Sequence, residues 1–334
     1  MSKIAILGYG TVGSGVFEVF RTNAESIEQR IGEPVEVKYV LDLREFPGDP
    51  VEEVLVHDYD VIVSDPEVEV VIETMGGLNP AYDFTKRALE AGKSVCTSNK
   101  ELVAEHGVEL LGIAKKKNVN YFFEASCAGG IPIIRALNES LVADEVEGLS
   151  GILNGTTNYI LTKMTEEGLA FEDALREAQE NGYAERNPEA DIEGYDAQRK
   201  IAILSSIAYG AHVDYRDVAV EGISKITQED IQKAKEQGAH IKLLATSRLE
   251  GDTVYAKVAP ALVTSENPLY AVNDVFNAVL VHSNMLGDSV FYGSGAGKLP
   301  TASAVAADAV TAIKNRGKHL PLYQSGKTLT MCKE

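Results

Sequence analysis

Two titratable residues four positions apart, Asp196 and Lys200, are the first candidates for chemistry in this sequence. On a helix this spacing puts both side chains on one face. Gly182 can end a preceding helix, and Asp196 then lies near the start of the next, where a carboxylate is favoured. A lysine beside a carboxylate and next to an apolar face can be partly desolvated and suited to proton transfer. By spacing alone, an ordinary surface ion pair is the more common case, and the catalytic interpretation is the alternative.

A glycine-rich turn near the start of the chain is the second candidate. Gly8, Gly10 and Gly13 follow a short apolar run and precede a helical stretch, which is the context of a dinucleotide-binding loop. The first glycine permits the tight turn, the second lets the backbone approach a pyrophosphate, and the third lets helix and strand pack closely. A glycine-rich turn without a ligand is the alternative. The residues predicted to bind the cofactor here are Gly8, Gly10, Thr11, Val12 and Gly13.

The end of the second apolar run bears on the choice between NAD and NADP. An acid at this position binds the ribose hydroxyls of NAD, whereas a basic residue accepts the 2′-phosphate of NADP. The sequence has Asp42, which favours NAD, and Arg44, which favours NADP. Both could also be solvated turn residues, and the spacing does not decide between these alternatives.

The pattern around these residues predicts the elements that position them. Short apolar runs alternate with helical stretches, which indicates a parallel sheet with crossover helices. The predicted strands are 3–7, 35–41, 61–63, 70–72, 94–97 and 119–124. This pattern predicts a Rossmann-type dinucleotide-binding domain from residues 1–135. An Ala/Val-rich helix at 301–314 could pack back on it, so we assign 301–334 to the same domain.

The middle of the chain has a different character. Residues 146–152 and 254–258 have the alternating or β-branched content of half-buried strands, and long helical patterns cover 171–181 and 196–209. The organisation is α+β, and the predicted fold class is α/β with this second domain. We therefore expect residues 136–300 to form a second domain.

Composition excludes several classes of function. A net charge of −19 opposes binding to nucleic acid or anionic membranes, and no apolar run approaches the ~18 residues of a membrane span. Neither a signal peptide nor metal-ligand spacing of the six histidines is visible. Cys96, Cys127 and Cys332 have no CxxC spacing, so we expect neither a disulfide framework nor a zinc site. We expect a cytoplasmic protein.

Four segments, together with most of the chain from about residue 3 to 320, resemble the homoserine dehydrogenase family. These segments are residues 97–100, 124–132, 153–160 and 182–200. The resemblance implies NAD(P)-dependent interconversion of L-homoserine and L-aspartate 4-semialdehyde, in the biosynthesis of threonine, methionine and isoleucine. It also implies a homodimer or a higher homo-oligomer, with residues 136–300 as the substrate and dimerisation domain.

The resemblance further implies a role for each matching residue. Lys200 becomes the general acid/base at the substrate oxygen, and Asp196 holds substrate and lysine in register. Lys100 lies between substrate and nicotinamide and assists proton transfer or carbonyl polarisation. Glu185 and Asp191 are expected to bind the substrate ammonium group. The remaining expected contacts are Thr156 and Tyr183 with substrate, and Thr74, Gly76 and Gly295 with cofactor.

A loop in the same family binds a monovalent cation, Na⁺ or K⁺, largely through backbone oxygens. The matching positions are Glu124, Cys127, Gly129 and Ile131. Cys127 stands where valine is expected, but a carbonyl ligand does not depend on its side chain. We interpret Cys127 as a small buried hydrophobe and not as a reactive thiol.

Two departures from the family pattern matter. Leu41 stands where many relatives have an arginine that binds the 2′-phosphate, which weakens the expectation of strict NADP preference. Many bacterial relatives continue into a threonine-sensing domain of the ACT type. No such module is visible here, so we expect either a short unregulated form or a truncated product.

Two other functions compete with this one. A related dehydrogenase acting on another semialdehyde, amino acid or sugar would keep the glycine loop and Lys100 but leave Glu185, Asp191 and Asp196 unexplained. A non-catalytic dinucleotide sensor would keep the loop and have no need for Lys200.

Overall fold

Residues 1–323 and 329–332 are described by a computed structural model of the chain. These residues form two compact units. The first contains residues 1–130 and 296–323, and the second contains residues 131–295 and 329–332.

The first unit is built on a six-stranded parallel sheet. Its strands are β1 (Ser2–Leu7), β2 (Val35–Leu41), β3 (Leu55–Val56), β4 (Val68–Glu73), β5 (Ser94–Thr97) and β6 (Tyr121–Phe122). Its first five helices are α1 (Thr11–Thr22), α2 (Ala24–Ile31), α3 (Tyr59–Ser64), α4 (Ala81–Glu90) and α5 (Lys100–Lys117). The strand order is β3-β2-β1-β4-β5-β6, all parallel, which is the Rossmann arrangement and confirms the predicted fold class. Strands β1 and β4 are almost fully buried, as expected for a sheet covered on both faces.

The second unit is built on a mixed seven-stranded sheet. Its strands are β7 (Val146–Ile152), β8 (Ala219–Val220), β9 (Ala239–Glu250), β10 (Thr253–Thr264), β11 (Phe276–Ser283), β12 (Gly287–Ser294) and β13 (Thr330–Cys332). Its helices are α6 (Ile133–Arg135), α7 (Gly155–Glu166), α8 (Phe171–Glu180), α9 (Glu189–Ile192), α10 (Tyr195–Tyr209) and α11 (Gln228–Glu236). The strand order is β12-β11-β7-β9-β10-β13, with β8 also paired to β10.

The last helix, α12 (Lys298–Lys314), belongs to the first unit. It packs on α1 so closely that a Cβ on Gly15 would lie 2.9 Å from the Cβ of Ala302. Lys298 also forms a 2.8 Å ion pair with Glu18 of α1. The first unit is therefore built from two segments of the chain, one before residue 131 and one after residue 295.

Several boundaries differ from the sequence-based expectations. Residues 61–63 do not form a strand. They lie in α3, whose N-terminus is capped by the Asp58 side chain, and a three-residue apolar run fits a short helix as well as a strand. Residues 301–334 were expected in the first domain, whereas Thr330–Cys332 pairs with β10 of the second unit. Of that expected range, residues 324–328 and 333–334 lie outside the described residues.

Within residues 1–323 and 329–332, no helix has both the length and the apolar character needed to cross a bilayer.

Candidate active site

The glycine loop connects β1 to α1, and its geometry fits a dinucleotide. Gly8 has a φ of +91°, which glycine adopts without strain. A Cβ on Gly13 would lie 1.9 Å from the Gly8 carbonyl oxygen, so only glycine allows this close packing. A Cβ on Gly10 would meet nothing within 4 Å, so this stretch of backbone is open to an approaching phosphate. Thr11 and Val12 begin α1, whose first turn carries no acidic residue that would repel a phosphate.

Asp42 and Arg44 lie at the end of β2 and form an ion pair. The Asp42 carboxylate accepts the backbone N–H of Tyr9 at 2.8 Å and is bound by Arg44 through Nε and a terminal nitrogen, each at 2.9 Å. The Arg44 guanidinium holds the pKa of the Asp42 carboxyl far below its usual range. The acid is therefore ionised, and the arginine remains largely exposed.

A cavity of about 470 Å³ opens at this edge of the sheet. The predicted cofactor residues on its wall are Gly8, Gly10, Asp42, Arg44 and Thr74. Thr74 follows β4, and its hydroxyl lies 3.0 Å from the backbone oxygens of both Leu7 and Gly8, as a donor to them. The wall thus joins the carboxyl ends of three neighbouring strands, where doubly wound sheets bind ligands.

Glu73 is a buried carboxyl beneath this site that sequence reasoning did not single out. One oxygen accepts the N–H of Met75 at 2.7 Å and of Gly76 at 3.3 Å, and the other accepts the Thr97 hydroxyl at 2.6 Å. Burial raises the pKa of Glu73 above its ordinary value, and these three donors oppose that shift. Glu73 therefore ties the turn containing Gly76 to the end of β5.

The same network reaches the helix that begins with Lys100. The Thr97 hydroxyl accepts the N–H of Asn99 at 2.9 Å, and the Asn99 amide donates to the Gly77 oxygen at 2.6 Å. Asn99 also caps α5 by accepting the N–H of Leu102. Lys100 is the first residue of that helix, so its backbone position is set by this buried network.

The second unit contains Lys200 and Asp196, one turn apart on α10. Lys200 Nζ lies 2.7 Å from an oxygen of Asp196 and donates to the backbone oxygen of Leu153 at 2.7 Å. The two side chains are only 10% and 4% exposed, so they do not form a surface ion pair. Burial of both partners in such a pair is costly unless it is well bonded, which marks this position as a candidate for function.

Asn154 connects this pair to a further predicted residue. Its amide nitrogen donates to Asp191 at 2.7 Å and to Asp196 at 2.9 Å. Asn154 lies in the family-like segment 153–160, and no sequence pattern predicts a role for it. Asp191, Asp196 and Lys200 are thus brought together, although they come from two helices.

The other residues predicted to bind substrate are Thr156, Tyr183 and Glu185. The Thr156 hydroxyl donates to the backbone oxygen of Tyr183 at 2.6 Å, which joins α7 to the loop after α8. Glu185 lies in the same loop with an exposed side chain, and its backbone oxygen accepts the amide of Gln179. The Glu185 carboxylate therefore stands outside the bonded cluster.

The predicted cation loop has an unusual backbone. Ala128 and Gly129 have φ values of 51° and 53°, so two successive residues adopt the left-handed conformation. Glu124 is buried and its N–H is bound by Asp308 at 2.9 Å, and Cys127 is fully buried. Ile131 is the first residue of the second unit.

Gly295 is the last residue of the second unit's main segment. A Cβ on Gly295 would lie 2.1 Å from Cγ of Asn277, so the backbone rests directly on that side chain.

Two family models match the chain. The NAD-binding domain of homoserine dehydrogenase matches residues 8–124, and homoserine dehydrogenase itself matches residues 132–310. The homoserine dehydrogenase of Neisseria gonorrhoeae is 44% identical over 92% of this chain and 71% of its own length. That of Bacillus subtilis is 43% identical over 94% of this chain and 73% of its own length.

Solved structures agree with these matches. A homoserine dehydrogenase from Thiobacillus denitrificans superposes with a TM-score of 0.93 at 40% identity, covering 99% of this chain and 79% of that chain. A hyperthermophilic archaeal homoserine dehydrogenase in complex with NADPH has a TM-score of 0.77 at 29% identity, covering 93% of this chain and 97% of that one.

A Rossmann sheet with an open glycine loop, together with a buried lysine–aspartate pair, defines a dinucleotide-dependent oxidoreductase. Within that class, this chain belongs to the homoserine dehydrogenase family.

Proposed function

We propose that this protein catalyses the NAD(P)-dependent interconversion of L-homoserine and L-aspartate 4-semialdehyde, as a cytoplasmic step in the biosynthesis of threonine, methionine and isoleucine. The buried Lys200–Asp196 pair, joined through Asn154 to Asp191, is the observation that carries the proposal. A dehydrogenase needs one group that exchanges a proton with the substrate oxygen. An amino-acid substrate needs acids for its ammonium group, and Asp191 and Glu185 supply them.

Proton transfer is assigned to Lys200. As a neutral amine it takes the hydroxyl proton during oxidation, and as an ammonium group it returns a proton during reduction. Asp196 and the Leu153 oxygen hold its Nζ in place. Lys100 assists at the carbonyl oxygen, and the bound dinucleotide supplies the hydride acceptor or donor.

Reduction of NAD and NADP by purified protein tests this proposal, with L-homoserine compared against other amino alcohols, hydroxy acids and sugars. We expect reduction with homoserine and formation of the semialdehyde. Preference for another alcohol would indicate a related dehydrogenase, and cofactor binding without turnover of any alcohol would indicate a sensor.

We propose that NAD is used at least as well as NADP. A 2′-phosphate at the end of β2 would have to lie beside the ionised Asp42 carboxylate and draw Arg44 away from it. Repulsion between near-surface charges amounts to roughly 1 to 4 kcal/mol, so Asp42→Ser is expected to raise kcat/KM for NADP relative to NAD by about tenfold. Steady-state kinetics with both cofactors measures this ratio. A large wild-type preference for NADP that disappears in Arg44→Ala would show instead that Arg44 governs the choice.

We further propose that a monovalent cation, Na⁺ or K⁺, binds to backbone oxygens of the loop containing Glu124, Cys127 and Gly129. The left-handed residues at 128 and 129 redirect successive carbonyl groups there, and hard cations of this kind are bound by oxygen ligands.

We propose a homodimer that forms through the sheet of the second unit. Phe276, Leu280, Val290 and Tyr292 share one sheet face, as the pairing of β11 with β12 shows. Val290 and Tyr292 are 42% and 56% exposed. A contiguous apolar surface of this kind is typical of protein–protein contacts.

Val290→Arg is therefore expected to shift the protein from dimer to monomer at micromolar concentration, as measured by light scattering. Near a two-fold axis the introduced charge faces its own copy or apolar side chains. Met285→Arg is the matched control, because Met285 is 82% exposed in the turn between the two strands. A wild-type monomer, a dimer that persists in Val290→Arg, or equal dissociation in Met285→Arg would contradict this interface.

A further inference from the structure

Asn154 is a buried residue whose side chain is bonded on both sides. Its oxygen accepts the N–H of Thr157 at 2.9 Å and thereby caps α7. Its nitrogen donates to Asp191 at 2.7 Å and to Asp196 at 2.9 Å. The amide has two N–H groups, so both are committed to carboxylates. Two segments that are distant in sequence, residues 154–157 and 191–196, therefore meet at one side chain.

The bond to Asp196 involves the oxygen that also binds the lysine. Oδ2 of Asp196 lies 2.9 Å from the Asn154 nitrogen and 2.7 Å from Lys200 Nζ. The preceding residue, Leu153, accepts a hydrogen bond from the same Nζ at 2.7 Å. Residues 153 and 154 thus hold both members of the pair, one through its backbone and the other through its side chain.

We infer that Asn154 is a positioning residue that couples the Lys200–Asp196 pair to Asp191. This inference rests on the proposed function, because it assigns catalysis to the pair and ammonium binding to Asp191. Two neighbouring carboxylates repel each other, and each then binds a proton more readily. A shared amide donor stabilises both as anions and fixes the carboxylate oxygen against which Lys200 is aligned.

The two roles of Asn154 can be separated by substitution. Serine caps helices about as well as asparagine but has no amide N–H groups to reach two carboxylates. Asn154→Ser therefore keeps the cap and removes the bridge. Asn154→Ala removes both, so comparing the two variants distinguishes helix stability from alignment of the acids.

The experiment measures kcat, the KM for homoserine, the dissociation constant for NADH and the thermal midpoint for the wild type and these variants. For Asn154→Ser we expect kcat to fall by about 10- to 100-fold, since small misplacement of a catalytic group has effects of this size. The KM for homoserine should rise as well, because Asp191 loses the amide donor that holds it in place for the ammonium group. The dissociation constant for NADH should stay unchanged.

Asn154→Ala should show the same kinetic loss with a lower thermal midpoint than Asn154→Ser. Thr157→Val is the matched control, because it removes a hydroxyl bonded to Asn154 at the same helix start without touching the acids. Its kinetics should resemble those of the wild type.

Two results would overturn the inference. One is an Asn154→Ser variant with wild-type kcat and wild-type KM for homoserine. The other is an equal loss of kcat in Thr157→Val, which would assign the effect to a loosened helix. Failure of the wild type to oxidise homoserine would contradict the proposed function. Normal wild-type turnover together with an unaffected Asn154→Ser variant would contradict only the role of Asn154.

Discussion

Lys200→Ala is expected to lower kcat for homoserine oxidation by about 100- to 10,000-fold, which is the usual contribution of a general acid–base group. Lys200 is buried, and its Nζ is held by Asp196 and by the Leu153 oxygen. In Lys200→Ala, a water molecule that fills the space left by the side chain would not have this fixed orientation. The dissociation constant for NADH should change little, because the glycine loop lies in the other unit. Steady-state kinetics together with fluorescence titration of NADH separates the two effects.

Glu185→Ala supplies the matched comparison. Its exposed carboxylate is proposed to bind the ammonium group in both ground and transition states, so KM for homoserine should rise while kcat is largely preserved. Near-wild-type kcat in Lys200→Ala would contradict the assignment and make Lys100 the leading candidate for proton transfer.

Gly13→Ala is expected to abolish most cofactor binding and to destabilise the first unit. The new Cβ would lie 1.9 Å from the Gly8 oxygen, so loop and helix must move apart. Overpacking of this kind costs typically about 1 to 3 kcal/mol, and the displaced loop no longer presents its N–H groups to a phosphate. Thermal unfolding and NADH titration measure the two consequences.

Gly10→Ala tests cofactor binding at the same loop without a change in the stability of the fold. Gly10 has a φ of −83°, which alanine adopts freely, and a Cβ there meets nothing within 4 Å. The variant should therefore unfold like the wild type but bind NADH at least about tenfold more weakly, because the methyl group stands where the pyrophosphate approaches the backbone. Wild-type affinity in Gly10→Ala would contradict the placement of the cofactor on this loop.

Much of the first unit could be predicted from the sequence because its signals are local. The glycine loop, the strand at 94–97 and the helix after it are each specified by residues within one element. The i, i+4 spacing of Asp196 and Lys200 is also local, and the structure places both on α10. Alternation and glycine spacing therefore specify these elements well.

The parts that the sequence analysis did not specify depend on contacts between distant residues. Residues 61–63 form a helix because Asp58 caps it, although β-branched residues favour a strand. The bridge from Asn154 spans 37 and 42 positions to its two acids, and no periodicity reports such a bond. Glu73 likewise appears in sequence as the last residue of a strand, and its role in joining two loops emerges only from the fold.

Transfer of a deuterium label from homoserine to the cofactor tests the proposed hydride transfer. L-Homoserine with both hydrogens of its alcohol carbon replaced by deuterium is incubated with the protein and NAD or NADP. Both products are then examined by mass spectrometry. We predict that one deuterium appears in the reduced cofactor, that the aldehyde carbon of aspartate 4-semialdehyde keeps the other, and that Lys200→Ala forms both products about 100- to 10,000-fold more slowly. Reduced cofactor without deuterium, or no reduction with homoserine under conditions where another alcohol reacts, would contradict oxidation of homoserine by hydride transfer.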